Sequence, residues 1–329
     1  MPRTPELPPL ITVLGASGFV GSTVLRALAQ RPVRLRAVAR RECELPEGPA
    51  ESTALTADLT DRDALAEAVA GSDAVVHLLL GEGGWRAAES DPAVERVNVG
   101  VMRDLVQVLR PARADGPAPL VLWGGAASQV GVPPREPLDG EEPDRPETAY
   151  DRQKLAAEEI LKKATAEGLV RGIALRLPTI FGESAGGGDR GVISGMARRA
   201  VADQTLTMWH DGTVRRDLVH VEDVAAAFVA ALDHPDALIG GHHLIGAGRG
   251  DRLGDAFRLI AAAVAEETGR PPVAVEAVEP PGHAPATDFA SVTLDSTAFR
   301  TATGWQPRIP LDEGIRRTVR ALVRQSDHR

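Results

Sequence analysis

"LITVLGASGFVGSTVLRALAQR" (residues 10–31) decides the fold. It opens with an apolar, partly β-branched run, passes through glycines at 15, 18 and 21, and continues as a leucine- and alanine-rich stretch. The first part reads as a buried strand and the last as the helix that follows it. Glycines between them allow a sharp turn and let the backbone approach a pyrophosphate, whose charge is favoured at a helix N-terminus. Placed between the first strand and the first helix, the G-x-x-G-x-x-G spacing predicts a dinucleotide site.

The alternation continues outward from there. Further strands are read at "VRLRAVAR" (33–40), within "ALTADLT" (54–60), and at "DAVVHLLL" (73–80), "PLVLWGGA" (119–126) and "VRGIALRLPTIFG" (170–182). Helical patterns fill 62–71, 93–112 and 150–168. Fully apolar central strands are what a parallel sheet buried on both faces requires. The expected class is α/β: a Rossmann-type doubly wound parallel sheet with a smaller C-terminal substrate-binding lobe. Residues 8–182, with 214–235 returning, are expected to form the dinucleotide-binding domain. Residues 183–213 and 236–329 would form the lobe, over the carboxyl edge of the sheet.

Composition narrows the partners. The chain has 329 residues, 43% hydrophobic and 25% charged, with a formal net charge of −9. A surface of that sign repels phosphate backbones and anionic lipid, so no nucleic-acid or membrane partner is expected. One cysteine, Cys43, excludes an internal disulfide and suits a reducing compartment. No basic segment followed by a long apolar run opens the sequence, so no signal peptide is read and a cytoplasmic location is expected. No Cys/His/Asp cluster has ligand spacing, and His242–His243 would point to opposite faces of a strand; no metal is expected. His77, inside an apolar strand, reads as a core histidine with its hydrogen bonds satisfied.

Two local features point to chemistry. At the end of the second strand, where a carboxylate would bind a ribose diol, stand Arg40 and Arg41. Guanidinium groups can grip a 2′-phosphate that a carboxylate would repel, so NADP(H) is favoured. In "ETAYDRQKLAAEE" (147–159) sits the sole tyrosine, Tyr150, four residues before Lys154, one of only three lysines. On a helix the two share a face. A nearby cation lowers the pKa of a phenol, and a poised phenol can protonate an alkoxide or remove a hydroxyl proton. Trp85 and Trp209 are expected to flank the cleft, as substrate contacts or as packing.

"GASGFVG", "ADLTD", "VVHLLL", "ERVNVGV", "YDRQK", "LRLPTIFG" and "RRDLVHVEDVA" occur in this order. In this the chain resembles the extended short-chain dehydrogenase/reductases, a group of nucleotide-sugar epimerases, dehydratases and ketoreductases. "WRAAESDP", "RPETAYDRQKLAAE", "TMWHDGT" and "TDFASVTLDS" look like the NDP-4-keto-6-deoxyhexose 4-ketoreductases of antibiotic deoxysugar pathways. The resemblance implies cofactor contacts from Gly15, Ser17, Gly18, Phe19, Val20 and Gly21 at the pyrophosphate. It places Asp58 and Leu59 at adenine, Leu78, Leu79 and Leu80 along the ribose side, and Asn98 among the cofactor-binding residues, bracing the sheet near the active site. Tyr150 would be the acid/base with Lys154 as partner, and Lys154 would also reach the nicotinamide ribose. Thr179 and Arg216 would meet the substrate diphosphate.

One departure stands out. Relatives carry Ser or Thr at the end of the fifth strand, and here "WGGAASQVG" puts Ala126 or Ala127 there. Ser128 is the nearest hydroxyl, and on an extended strand a two-residue shift keeps it on the same face. The segment also lacks the adjacent Asp-Glu pair of the 4,6-dehydratases, which argues against dehydration. The expected activity is NADPH-dependent reduction of the 4-keto group of a dTDP-linked 4-keto-6-deoxyhexose. The alternatives are a 4-epimerase holding NAD and a nucleotide-binding protein whose chemistry has decayed. A homodimer is compatible with the chain, whose oligomeric state the sequence leaves open.

Overall fold

The computed structural model describes residues 7–110, 117–183, 191–209, 211–280 and 284–327, apart from the side chains of residues 84–86 and 327. Strand β1 (Leu10–Leu14) is buried at every position and leads into helix α1 (Phe19–Ala29). There follow β2 (Arg34–Ala39), β3 (Glu51–Thr56), α2 (Arg62–Val69) and β4 (Ala74–His77). Next come a short α3 (Pro92–Glu95), a π-turn over Arg96–Gly100 and α4 (Val101–Val108). Strand β5 (Leu120–Ala126), α5 (Ala149–Ala166) and β6 (Arg171–Leu177) complete the first half.

The second half adds β7 (Thr179–Phe181), α6 (Val192–Val201), β8 (Leu206–Trp209), β9 (Arg215–Arg216), β10 (Leu218–His220) and α7 (Val221–Asp233). After these come β11 (His242–Leu244), β12 (Asp251–Arg252), α8 (Leu253–Thr268), β13 (Val275–Val278), α9 (Thr297–Thr303) and α10 (Leu311–Asp327).

Seven strands form one parallel sheet in the order β11-β6-β5-β4-β1-β2-β3. The chain starts in the middle, winds to one edge, returns and winds to the other, so the order reverses between β1 and β4. Ligands of such sheets bind in the crevice outside the carboxyl ends at that point. One face is covered by α1 and α7, through Val24, Leu28, Val224 and Phe228 packed on Val13, Val76 and Leu122. The other is covered by α2, α4 and α5, with Leu65, Met102, Leu105 and Leu161 around Leu14, Val75 and Trp123. A third apolar cluster joins α6, α8 and α10 with Leu206 of β8, away from the main sheet.

The structure departs from the sequence-based reading in four places. The third strand lies at 51–56 rather than within 54–60; it is an edge strand, and Ala57–Thr60 has already turned toward the cleft. The stretch 93–112 contains a π-turn, where Arg96 reaches back to Thr60 O and Asp104. β5 does not run on into Ser128, because Ala127–Val130 forms a 3-10 turn. Finally, not all of 236–329 lies apart from the Rossmann core. β11 extends the main sheet beside β6, and Phe299 and Trp305 pack in the α1–α7 core, with Trp305 Nε1 donating to Asp223 O at 2.9 Å. Among the described residues, no helix is long and apolar enough to cross a membrane.

Candidate active site

A cleft of about 920 Å³ opens along the carboxyl ends of the strands. At one end its wall is the glycine loop, with Gly15, Ser17, Gly18, Phe19, Val20 and Gly21 all on the cleft. Gly15 has φ +85°, and a Cβ there would sit 2.9 Å from Leu78 O. A Cβ on Gly21 would come within 2.0 Å of Gly15 O, so α1 can pack against the turn only without a side chain at that position. Gly18 caps α1 with no side chain of its own. Together these put bare backbone and the positive end of a helix dipole against the cleft, which fits a pyrophosphate.

The rest of the predicted cofactor wall is assembled alongside. Arg40, Arg41, Asp58, Leu59, Leu78, Leu79 and Leu80 all line the cleft. Arg40 pairs with Glu82 at 2.9 Å, and both it and Arg41 are exposed. Asp58 accepts from the backbone and hydroxyl of Thr60, and these bonds hold its carboxyl below the usual value. Asn98 differs from expectation. It is buried and off the cleft, accepting from Gly81 N at 2.9 Å and donating to Gln153 at 2.8 Å. It ties the exit of β4 to α5, a brace rather than a cofactor contact.

Midway along the cleft, α5 carries Tyr150 and Lys154. Lys154 is 7% exposed; its Nζ donates to Gly124 O at 2.7 Å and lies 4.9 Å from the centre of the Trp123 ring. Burial lowers its pKa to about 8. The ammonium is 5.9 Å from the centre of the Tyr150 ring. The expectation that it lowers the phenol's pKa is not met in this arrangement, where burial, and after it the charge of Asp151, pushes Tyr150 well above its ordinary value. The phenol is therefore held protonated, as a general acid must be before it acts.

Beyond Tyr150 the wall is formed by Ala126, Ala127 and Ser128. The Ser128 hydroxyl does face the cleft, but it is carried there by the 3-10 turn rather than by an extended strand, and it donates to Asp151 at 2.5 Å. The turn is fixed from behind. Gln129 accepts from Ala126 N and donates to Glu158, which is fully buried and bound by Arg176 from β6. Arg176 also makes a bidentate pair with Asp144, both contacts at 2.7 Å. Burial alone would raise the Glu158 carboxyl; bonds from His242, Arg176 and Lys162 hold it far below the ordinary carboxylate range.

At the far end Thr179 and Arg216 line the cleft. The Arg216 guanidinium donates to the carbonyls of Ala290, Thr287 and Asp288, so it organises the loop that closes this end. Trp209 is not on the cleft; it packs against Phe289, ring centres 5.9 Å apart. The Trp85 side chain lies outside the described residues. His77 also departs from its reading: it is buried and its Nε2 has no partner among the described residues, while burial and the charge of Lys154 lower its pKa to about 3. Asp151 was missed from sequence, although Thr148-x-x-Asp151 has the spacing of a capping box. The Gln129–Glu158–Arg176 chain left no local signal, because its members are distant in sequence.

The NAD dependent epimerase/dehydratase family model matches residues 11–246. The chain belongs to this family. Among curated relatives, a UDP-glucose 4-epimerase of Mycolicibacterium smegmatis is 29% identical, covering 93% of this chain and 96% of its own. A dTDP-6-deoxy-L-talose 4-dehydrogenase (NAD(P)(+)) of Kitasatospora kifunensis is 28% identical, covering 94% of each. The solved UDP-glucose 4-epimerase of Thermus thermophilus, in complex with NAD, superposes with a TM-score of 0.78 at 25% identity, covering 95% of this chain and 98% of its own. The protein is thus an enzyme of the NAD dependent epimerase/dehydratase family, built on a Rossmann-like fold.

Proposed function

We propose that the protein uses NADPH to reduce the 4-keto group of a dTDP-linked 4-keto-6-deoxyhexose. The observation that carries this reading is Tyr150 on the cleft wall with Lys154 one helical turn on, in line with a glycine loop whose rim bears Arg40 and Arg41 in place of a carboxylate. The relative from Kitasatospora kifunensis, matched over nearly all of both chains, supports the sugar class.

The glycine loop would hold the pyrophosphate, and the two arginines the 2′-phosphate, Arg40 exchanging Glu82 for it. Bound NADPH supplies the hydride. Tyr150 delivers its phenolic proton to the oxygen that gains charge at carbon 4. Lys154, anchored on Gly124 O, stabilises the phenolate left behind and orients the cofactor ribose. Thr179 and Arg216 would meet the diphosphate, which keeps the sugar ring facing Tyr150.

A second reading, a 4-epimerase with retained NAD, is supported by the relative from Mycolicibacterium smegmatis. Denaturing the purified protein and assaying the released nucleotide separates the two. Little bound NAD, and NADPH consumption upon adding a dTDP-4-keto-6-deoxyhexose, is the expected result. Stoichiometric NAD with no net consumption of NADPH would place the protein among the epimerases.

A further inference from the structure

Asp151 stands one residue beyond Tyr150 on the wall of the same cleft and is 3% exposed. Its Oδ2 accepts from Thr148 Oγ1 at 2.6 Å, and Asp151 N donates back to that hydroxyl at 3.1 Å. These contacts cap α5, as such spacing commonly does. The contact from Ser128 to Oδ1 is not needed for the cap. It comes from a separate segment, the 3-10 turn after β5, and it occupies the cleft beside Ala126 and Ala127.

A serine hydroxyl has one hydrogen and two lone pairs. While Asp151 is a carboxylate, that hydrogen points at Oδ1 and Ser128 offers the cleft only lone pairs. It can then accept from an alcohol but cannot polarise a ketone. Once Asp151 is protonated, the acid can donate to Ser128 Oγ, and the serine hydrogen is released toward the cleft. We propose that Asp151 and Ser128 form a two-way switch in which protonation of Asp151 turns Ser128 from hydrogen-bond acceptor to donor toward the reacting oxygen.

The role of Ser128 toward that oxygen rests on the reductase reading above. Asp151 is a positioning residue: it acts through Ser128, and its proton redirects a hydrogen bond without leaving the pair. The proton that ends on the product oxygen comes from Tyr150. Burial raises the Asp151 carboxyl above its ordinary value, the bonds from Ser128 and Thr148 oppose this, and the charge of Glu147 adds to the rise. The remaining charged neighbours are Arg152 and Lys154 on α5, the latter with its Nζ on Gly124 O. From the 84–89 turn, Glu89 accepts from Ala149 N and lies 3.9 Å from Arg152. Gln129, from the 3-10 turn, is neutral.

The test pairs a titration with a rate profile. Carboxyl carbon NMR of aspartate-labelled protein, assigned with D151N, would follow Asp151 across pH in the wild type and in S128A. S128A removes the bond in both states, and because the one to the charged form is the stronger, the midpoint should move upward, by up to about a unit. In kinetics, kcat/KM for the ketone should fall as pH rises through the wild-type midpoint, while KM for the alcohol product improves over the same range. D151N, whose amide can donate to Ser128 Oγ, should lose that step, and S128A should lose both the step and about 10²-fold in ketone turnover.

An identical Asp151 midpoint in wild type and S128A overturns the pairing with no turnover measured. Retention of the pH step in D151N overturns the switch. A shifted midpoint in a protein that reduces no keto sugar supports the pair and counts against the reductase reading alone. The wild-type and S128A titrations leave the helix cap intact, so they decide the pairing even if D151N is unstable.

Discussion

Around Gly15–Gly21 the cleft wall is backbone, shaped by residues within seven positions of one another. Around Tyr150 it is side chains held by partners far away in sequence, Lys154 by Gly124 and Ser128 by Asp151, and behind it Gln129 is held by Glu158 and Glu158 by Arg176. The first wall needs only the absence of Cβ atoms, a constraint that is local and leaves glycines at fixed spacing. The second needs a buried charged network, in which a carboxylate with no exposed surface is stable only because a guanidinium, an ammonium and an imidazole converge on it. The cofactor end should therefore respond to mutation in affinity, and the catalytic end in rate and stability together.

The largest effect should come from Tyr150→Phe. General acid catalysis contributes about 10²–10⁴-fold, so turnover should fall within that range while NADPH affinity stays near wild type. Steady-state assays and a cofactor titration on the same sample would check it. A drop below about tenfold would remove Tyr150 from the role of proton donor.

Next is Arg176→Met, which leaves Glu158 and Asp144 without their main partner. Breaking a buried pair from one side typically costs about 3–5 kcal/mol, and denaturant unfolding should show a loss of that order. Arg41→Met, at the other end of the cleft and exposed, should leave unfolding unchanged. Equal effects of the two would erase the contrast drawn above.

The same network predicts a pH response. The folded-state pKa of Glu158 is depressed from its ordinary 4.5, so its stabilisation is fully present above that value and fades as pH falls toward the folded-state value. Thermal melts between pH 7 and 3 should show a steeper acid loss in the wild type than in Glu158→Gln, which starts from a lower stability. Parallel curves would mean that other carboxylates govern acid unfolding.

The smallest expected change is in cofactor choice. Arg40→Asp should weaken NADPH by about tenfold or more, through loss of a charged hydrogen bond, and should spare or improve NADH. Arg40 is already paired with Glu82 on the surface, which limits the gain from its contact with phosphate. Titration of both cofactors into wild type and variant measures this, and equal affinities in the wild type would end the preference for NADPH.

What could be read in advance follows the same division. The strand–glycine–helix start and the central strands were legible because a buried parallel strand must be apolar throughout. Tyr150 and Lys154 were legible because both residue types are rare in this chain and stand one helical turn apart. The 3-10 turn at Ala127–Val130 was not, since it depends on Gln129 reaching Ala126 N and Glu158. Nor was the joining of β11 to the main sheet, a three-residue strand with two histidines and little apolar signal. The edge strand β3, mostly exposed, was misplaced for the same reason: packing did not write a pattern into it.

The central claim is that hydride passes from NADPH to carbon 4 of the sugar, and isotope transfer tests it most directly. Incubating the protein with NADPH deuterated at the transferring position and a dTDP-4-keto-6-deoxyhexose, then recording the proton spectrum of the product, locates the label. One deuterium at carbon 4, with NADP⁺ formed in equal amount, is the predicted result. Product carrying only protium at carbon 4, with the NADPH unspent, would contradict it.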